Sequence, residues 1–269
     1  MRTLVGCRRF ARLESPLSFA RKLLVAVLAS ISLTTAVSTS AVARPAPRPT
    51  TSTITGNDIS WPQCGKAYPT GSAFGIVGVT DGKPYFGNTC LASEYAWAAA
   101  TPGGAGFYMN TANPGAASTA VNWYQQRTPD ASCAPGHEAA CAYNYGFNAA
   151  ARALAYAQAQ TGHSAGTSWW LDVETDNSWS ATDLGANLAS LRGSIDFLQR
   201  TPGVVVGVYS TKYQWTRITG GAPLSLPNWV AGAANLSEAK ARCTPAWSAT
   251  GGPVVLTQAF GPFDTNYAC

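Results

Sequence analysis

The chain has 269 residues and a formal net charge of +5, with 12% charged and 46% hydrophobic residues. The basic excess belongs to the N-terminal end: from Gly56 onward, ten Lys and Arg stand against twelve Asp and Glu, a net charge of −2. That balance argues against a partner recognised by positive charge, so neither nucleic acid nor an anionic membrane surface is expected, and it makes each carboxylate stand out.

The first segment carries Arg2, Arg8, Arg9, Arg12, Arg21 and Lys22, then an apolar stretch from Leu23 to Leu33, then Ala41-Val42-Ala43. This is the pattern of a cleaved secretory signal over residues 1–43. The apolar stretch is too short to span a bilayer, and no later segment is apolar enough. The expectation is a secreted protein acting outside the cell or at its wall, with no membrane contact after cleavage. Residues 44–55 are rich in Pro, Ser and Thr and read as a linker. One folded domain is expected over 56–269.

Within that domain, strand-like and helix-like segments alternate. Phe74–Thr80 is a short apolar strand, Leu91–Ala100 an Ala-rich helix and Gly106–Asn110 a strand. Ala116–Gln126 can form a helix, and Tyr145–Gln160 is a strong helix former that stops at Thr161-Gly162. Ser168–Glu174 is a strand, followed by a helix capped at Ser180 or Thr182 and running to about Arg200. Gly203–Tyr209, Asn228–Ala231 and Val254–Gln258 complete the series. Such alternation predicts a parallel sheet of the α/β class, and the count of units favours closure into a TIM-like barrel over an open sheet. The length is short for eight full units, so some helices should be missing or brief. No Gly-x-Gly-x-x-Gly loop follows the early strands, which weakens a nucleotide-binding reading.

Cys7 lies in the signal, leaving Cys64, Cys90, Cys133, Cys141, Cys243 and Cys269. An even number in an exported chain points to three disulfides. Six cysteines allow fifteen pairings; joining nearest neighbours gives Cys64–Cys90, Cys133–Cys141 and Cys243–Cys269. No Cys-x-x-Cys pattern occurs and His is scarce, so no metal site is expected.

The densest chemistry lies in Ser168-Trp169-Trp170-Leu171-Asp172-Val173-Glu174. Alternation along a strand puts Trp169, Leu171 and Val173 on one face and Trp170, Asp172 and Glu174 on the other. In isolation, an Asp-x-Glu pair is an exposed acidic face or one half of a distant ion pair. Here it closes a strand just before a polar loop, where barrel proteins collect functional groups. Asp58 on the first strand and Asp264 before the last join it, because first and last strands of a closed barrel are neighbours. Paired carboxyl groups are what glycoside hydrolysis requires.

These segments together resemble glycoside hydrolase family 25, the muramidases. The matching residues are Asp58-Ile59-Ser60, Val79-Thr80-Asp81-Gly82, Gly106-Phe107-Tyr108, Leu171-Asp172-Val173-Glu174, Gly207-Val208-Tyr209-Ser210-Thr211 with Trp215, Asn228-Trp229-Val230-Ala231, Gln258 and Asp264. The resemblance spans about Gly56 to Cys269. It implies an irregular β/α barrel that cleaves the β-1,4 bond between amino sugars of peptidoglycan or a related polysaccharide, with no cofactor. Carried over, Glu174 is the general acid, Asp172 orients the substrate acetamido group or stabilises positive charge, and Asp58 and Asp264 support them. Clustered carboxyls cannot all ionise cheaply, so at least one should hold a proton, with Glu174 the expected holder. Trp170, Trp61, Tyr108, Tyr209 and Asp81 are the expected substrate contacts. Asp81 departs from the family's usual Glu, and the Cys-containing insert from Asn113 to Asn144 is unlike typical members.

Other chemistries find less support. His137 and His163 lie in loop-like contexts, and no Gly-x-Ser-x-Gly elbow accompanies them. Asp172, Glu174, Asp176 and Asn177 lack the glycine and distal Glu of a calcium loop. The alternative function is a non-catalytic glycan-binding or envelope-associated protein on the same barrel.

Overall fold

The computed structural model describes residues 54–115, 126–164 and 167–269. The signal and most of the linker expected from the sequence therefore fall outside the described residues, as does the helix expected at 116–126, apart from Gln126.

Eight strands close a barrel in sequence order: β1 Thr55–Ile59, β2 Gly75–Gly78, β3 Ala105–Asn110, β4 Ser168–Asp172, β5 Val205–Ser210, β6 Asn228–Ala233, β7 Val254–Ala259 and β8 Thr265–Ala268. Strands β1 to β7 run parallel. Strand β8 is antiparallel to both of its neighbours, β7 and β1, which amends the all-parallel expectation. The reason is the length of the connection. Only residues 260–264 separate β7 from β8, and a parallel return needs a crossover of a dozen or more residues. This short turn keeps Asp264 at the same end of the barrel as the last residues of β1 and β4.

Among the described residues the outer layer is incomplete, as the length suggested. It comprises α1 Leu91–Ala99, α2 Glu138–Thr161, α3 Leu184–Gln199, α4 Lys212–Thr219 and α5 Leu236–Ala241, and the β1–β2 connection holds only a 3₁₀ turn at Trp61–Gln63. Helix α2 begins seven residues before the sequence suggested and ends on Gly162 in the left-handed region, φ 75°. Helices α2 and α3 pack backbone to backbone. A Cβ on Gly146 would lie 1.8 Å from the Ser190 carbonyl oxygen, and one on Gly193 2.0 Å from that of Tyr143.

The strand alternation holds. Trp169, Leu171 and Val173 are fully buried in the main core between sheet and helices, beside Phe107, Ala149, Ala153 and Leu191. Trp170 points into the barrel, where it packs with Ile76 and Trp229. The space for its ring comes from Gly207 on the neighbouring strand, where a Cβ would sit 2.3 Å from Trp170 Cζ3. The three disulfides join Cys64–Cys90, Cys133–Cys141 and Cys243–Cys269, the nearest-neighbour pairing. Among the described residues, no helix is long and apolar enough to cross a membrane.

Candidate active site

A pocket of about 160 Å³ opens at the C-terminal ends of the parallel strands, lined by Asp58, Tyr108, Asp172, Glu174, Tyr209, Trp229, Gln258 and Asp264. A larger cavity of about 690 Å³ lies at the opposite end, against Phe74, Gly103, Thr167 and Leu256, with no carboxylate among its described lining. The carboxylates line the smaller one.

Asp172 is the last residue of β4 and is 5% exposed. In register beside it, Asn110 ends β3. Thr80 fixes the Asn110 amide, donating from Oγ1 to Asn110 Oδ1 at 2.8 Å and accepting the Asn110 backbone N–H at 2.9 Å. Asn110 Nδ2 therefore faces Asp172 and donates to Oδ2. The other oxygen, Oδ1, receives no protein donor. Burial first, and then the charge of the neighbouring Glu174, push the Asp172 carboxyl well above its ordinary value.

Glu174 follows in a loop and is half-buried. Its backbone carbonyl accepts from Trp179 Nε1 at 2.8 Å and from the Asn177 N–H at 3.2 Å, which pins the loop. Its carboxylate Oε1 accepts from Gln214 Nε2 at 3.4 Å. The Gln214 amide is oriented by the capping box of α4, in which Thr211 N–H donates to Gln214 Oε1 at 3.2 Å. Burial raises the Glu174 carboxyl too. Asp172 and Glu174, the latter expected from the sequence to hold a proton, are thus both raised. Asp172 is the more deeply buried of the two, so ionising it costs more.

Across the mouth, Asp58 Oδ1 accepts two amides, Asn266 Nδ2 at 2.8 Å and Gln258 Nε2 at 3.0 Å. Each amide is held from behind: Trp229 Nε1 donates to Asn266 Oδ1 at 2.8 Å, and Tyr209 OH to Gln258 Oε1 at 2.7 Å. An indole nitrogen can only donate, so the Asn266 amide has one workable orientation. Burial still lifts the Asp58 carboxyl to about 7, against the lowering effect of both amides. Asp264 is half-buried and raised by burial, and its charge bears on both Asp58 and Glu174.

The aromatic wall is centred on Trp229, which meets Tyr209 edge-on at 4.5 Å and Tyr108 at 6.4 Å between ring centres. Tyr108 and Tyr209 line the pocket, as expected. Trp170 does not. It shares the carboxylate face but lies deeper in the barrel, 4% exposed, with its Nε1 unpartnered. The interior of a closed barrel is filled in layers, and at the mouth level that layer is Trp229. Trp61, 48% exposed, and Asp81, in an exposed turn, sit on the rim outside the pocket lining. Asn110, Thr80, Gln214 and Asn266 were not singled out from the sequence. A sharper signal was available for Gln214, since Thr211-x-x-Gln214 is a capping-box spacing.

No family model and no curated protein matches this sequence. Solved structures do. A muramidase from Trichobolus zukalii aligns over 80% of this chain and 93% of its own at 17% identity, with a TM-score of 0.51. The modular autolysin LytC from Streptococcus pneumoniae, solved with a synthetic peptidoglycan ligand, aligns over 79% of this chain and 46% of its own at 15% identity, also with a TM-score of 0.51. The chain shares the barrel fold of these two structures. The family 25 resemblance read from the sequence therefore holds at the level of fold, where similarity at this identity ends.

Proposed function

We propose that the protein is a secreted, muramidase-like glycoside hydrolase acting on amino-sugar β-1,4 bonds in peptidoglycan. The observation that carries the reading is the gathering of four carboxyls, Asp58, Asp172, Glu174 and Asp264, in one pocket with the raised Asp172–Glu174 pair at its centre. Glu174 is the more accessible member and delivers the proton to the glycosidic oxygen as the bond to the leaving sugar breaks. Asp172 faces the positive charge that develops on the ring, or receives the acetamido N–H. Asp58 and Asp264 set the field around them. A raised carboxyl is what a general acid near neutral pH needs. The three disulfides suit the oxidising compartment to which the signal-like N-terminus points.

The test is turbidity loss and reducing-sugar release from purified peptidoglycan, with the parent and Glu174→Gln side by side. The expected loss in the variant is about 10²–10⁴-fold. A second reading, a glycan-binding protein without turnover, draws on the small pocket volume, about 160 Å³ against roughly 300–1,000 Å³ for drug-sized ligand sites. Equal glycan binding by parent and variant with no sugar release from either would favour it.

A further inference from the structure

A second cavity, of about 190 Å³, opens beside the carboxylate pocket. Its lining includes Lys83, Pro84 and Phe86 from the β2–α1 connection, Pro114, and Asp176 and Asn177 from the loop after β4. Asp176 lies two residues beyond Glu174, so their Cα atoms are within roughly 7 Å. The wall between the two cavities is tied down. Asn177 Nδ2 donates to the Asp172 carbonyl at 3.2 Å, and the Asn113 N–H to the Ser178 carbonyl at 2.8 Å. The β2–α1 connection is held as well: Tyr85 OH donates to the Tyr145 carbonyl at 2.7 Å, and Arg152 Nε to the Tyr85 carbonyl at 2.9 Å.

The charges of this cavity are uncommitted. Among the described residues the one ion pair is Arg242–Glu238, so neither Lys83 nor Asp176 is paired. The cavity thus offers an ammonium and a carboxylate in its lining, together with proline and phenylalanine surface. A neutral sugar ring matches neither charge. A polyanion would meet Asp176 as well as Lys83. A short peptide with a free carboxylate and a free amine matches both, and the apolar surface suits its aliphatic parts.

We propose that this cavity is a subsite for the peptide that peptidoglycan carries on its muramic acid, with Lys83 taking a peptide carboxylate and Asp176 a peptide amine. The proposal rests on the glycan reading of the neighbouring pocket, and it makes the protein selective for peptide-bearing over bare glycan.

The test is calorimetric titration of the full chain carrying Glu174→Gln, which removes turnover. One probe is an N-acetylmuramoyl peptide with free carboxylates and one free side-chain amine; the other is its amidated and acetylated twin. The free probe is expected to bind about five-fold more tightly than the blocked one, the scale of an exposed charge contact. Lys83→Glu should abolish that preference and Lys83→Arg should keep it. Asp176→Asn should reduce it; this variant is read by binding alone, because the Asp176 charge also bears on Glu174. Equal affinity for the two probes, absent binding of both, or a preference that survives Lys83→Glu would overturn the proposal. A preference that behaves as expected in a protein whose parent releases no sugar would keep the subsite and remove the hydrolase reading.

Discussion

Asp58 and Asp172 face one pocket and are both lifted by burial, yet they are furnished differently. Asp58 has two amides converging on one oxygen, each amide fixed from behind by a Trp or Tyr donor. Asp172 has one amide on one oxygen, none on the other, and a second carboxyl as a neighbour. Hydrogen bonds to a carboxylate favour its charged form, whereas a nearby like charge disfavours it. The pocket therefore treats the two differently: at Asp58, lifted to about 7, two amides work against burial, whereas at Asp172 the Glu174 charge adds to burial.

Replacing Asp172 should have the largest effect. Asp172→Asn keeps a side chain that can donate to Glu174 but cannot become negative, so sugar release is expected to fall about 10²-fold or more, mainly in kcat. Asp58→Asn, on the supporting side, should cost less. Measured kcat and KM for the two variants break the comparison if the losses are equal. Glu94 supplies the control for burial alone. It is fully buried in α1, accepts Asn88 Nδ2 at 2.6 Å, has an unpartnered Oε1, and is lifted by burial to about 7 with no neighbouring carboxyl among the causes. Its folded value lies above its unfolded one, so the native state binds more protons between about 4.5 and 7. The stability it contributes is complete at low pH and is lost as pH rises through about 7. Asp58 acts with the same sign. Urea unfolding should show the parent losing stability from pH 4 to pH 8, and Glu94→Gln should reduce that loss by about 1–3 kcal/mol without removing it.

The barrel was legible because its strands are short apolar runs separated by helix-length segments, and because alternation along Trp169–Glu174 fixes which residues face inward. The direction of β8 was not, since it depends on a five-residue connection whose ends are hard to place without knowing where β7 stops. The four carboxyls were legible from residue type and strand-end position. Their partners were not: Asn110, Asn266 and Gln214 are ordinary polar residues until register and a helix cap bring them to a carboxylate. Trp170 shows the complementary limit. Alternation assigns its face, but depth along the barrel axis decides whether that face is solvent or core, and Gly207 on β5 settles the depth.

The smallest expected effect isolates the donor behind the Asp58 clamp. Trp229→Phe keeps an aromatic ring against Tyr209 and Tyr108 but deletes the N–H that Asn266 Oδ1 accepts at 2.8 Å. The Asn266 amide is then free to turn, and each turn replaces a donor at Asp58 Oδ1 with an acceptor. Asp58 should rise further above its ordinary value, moving its titration upward from about 7. Carbon-13 carboxyl shifts of the parent, Trp229→Phe and Asn266→Leu across pH 4–9 would measure this. Asn266→Leu should give the larger displacement, because it removes the donor outright. Asp172 lies outside this clamp and feels Asp58 only through the smallest of the causes that raise it, so its titration should move much less than that of Asp58 in both variants. If the two aspartates move equally, the mouth titrates as one coupled cluster and the difference between them does not exist. If Asp58 moves far more, the barrel sets the two protonation states through separate second partners, one rooted in β6 and β8 and the other in β3.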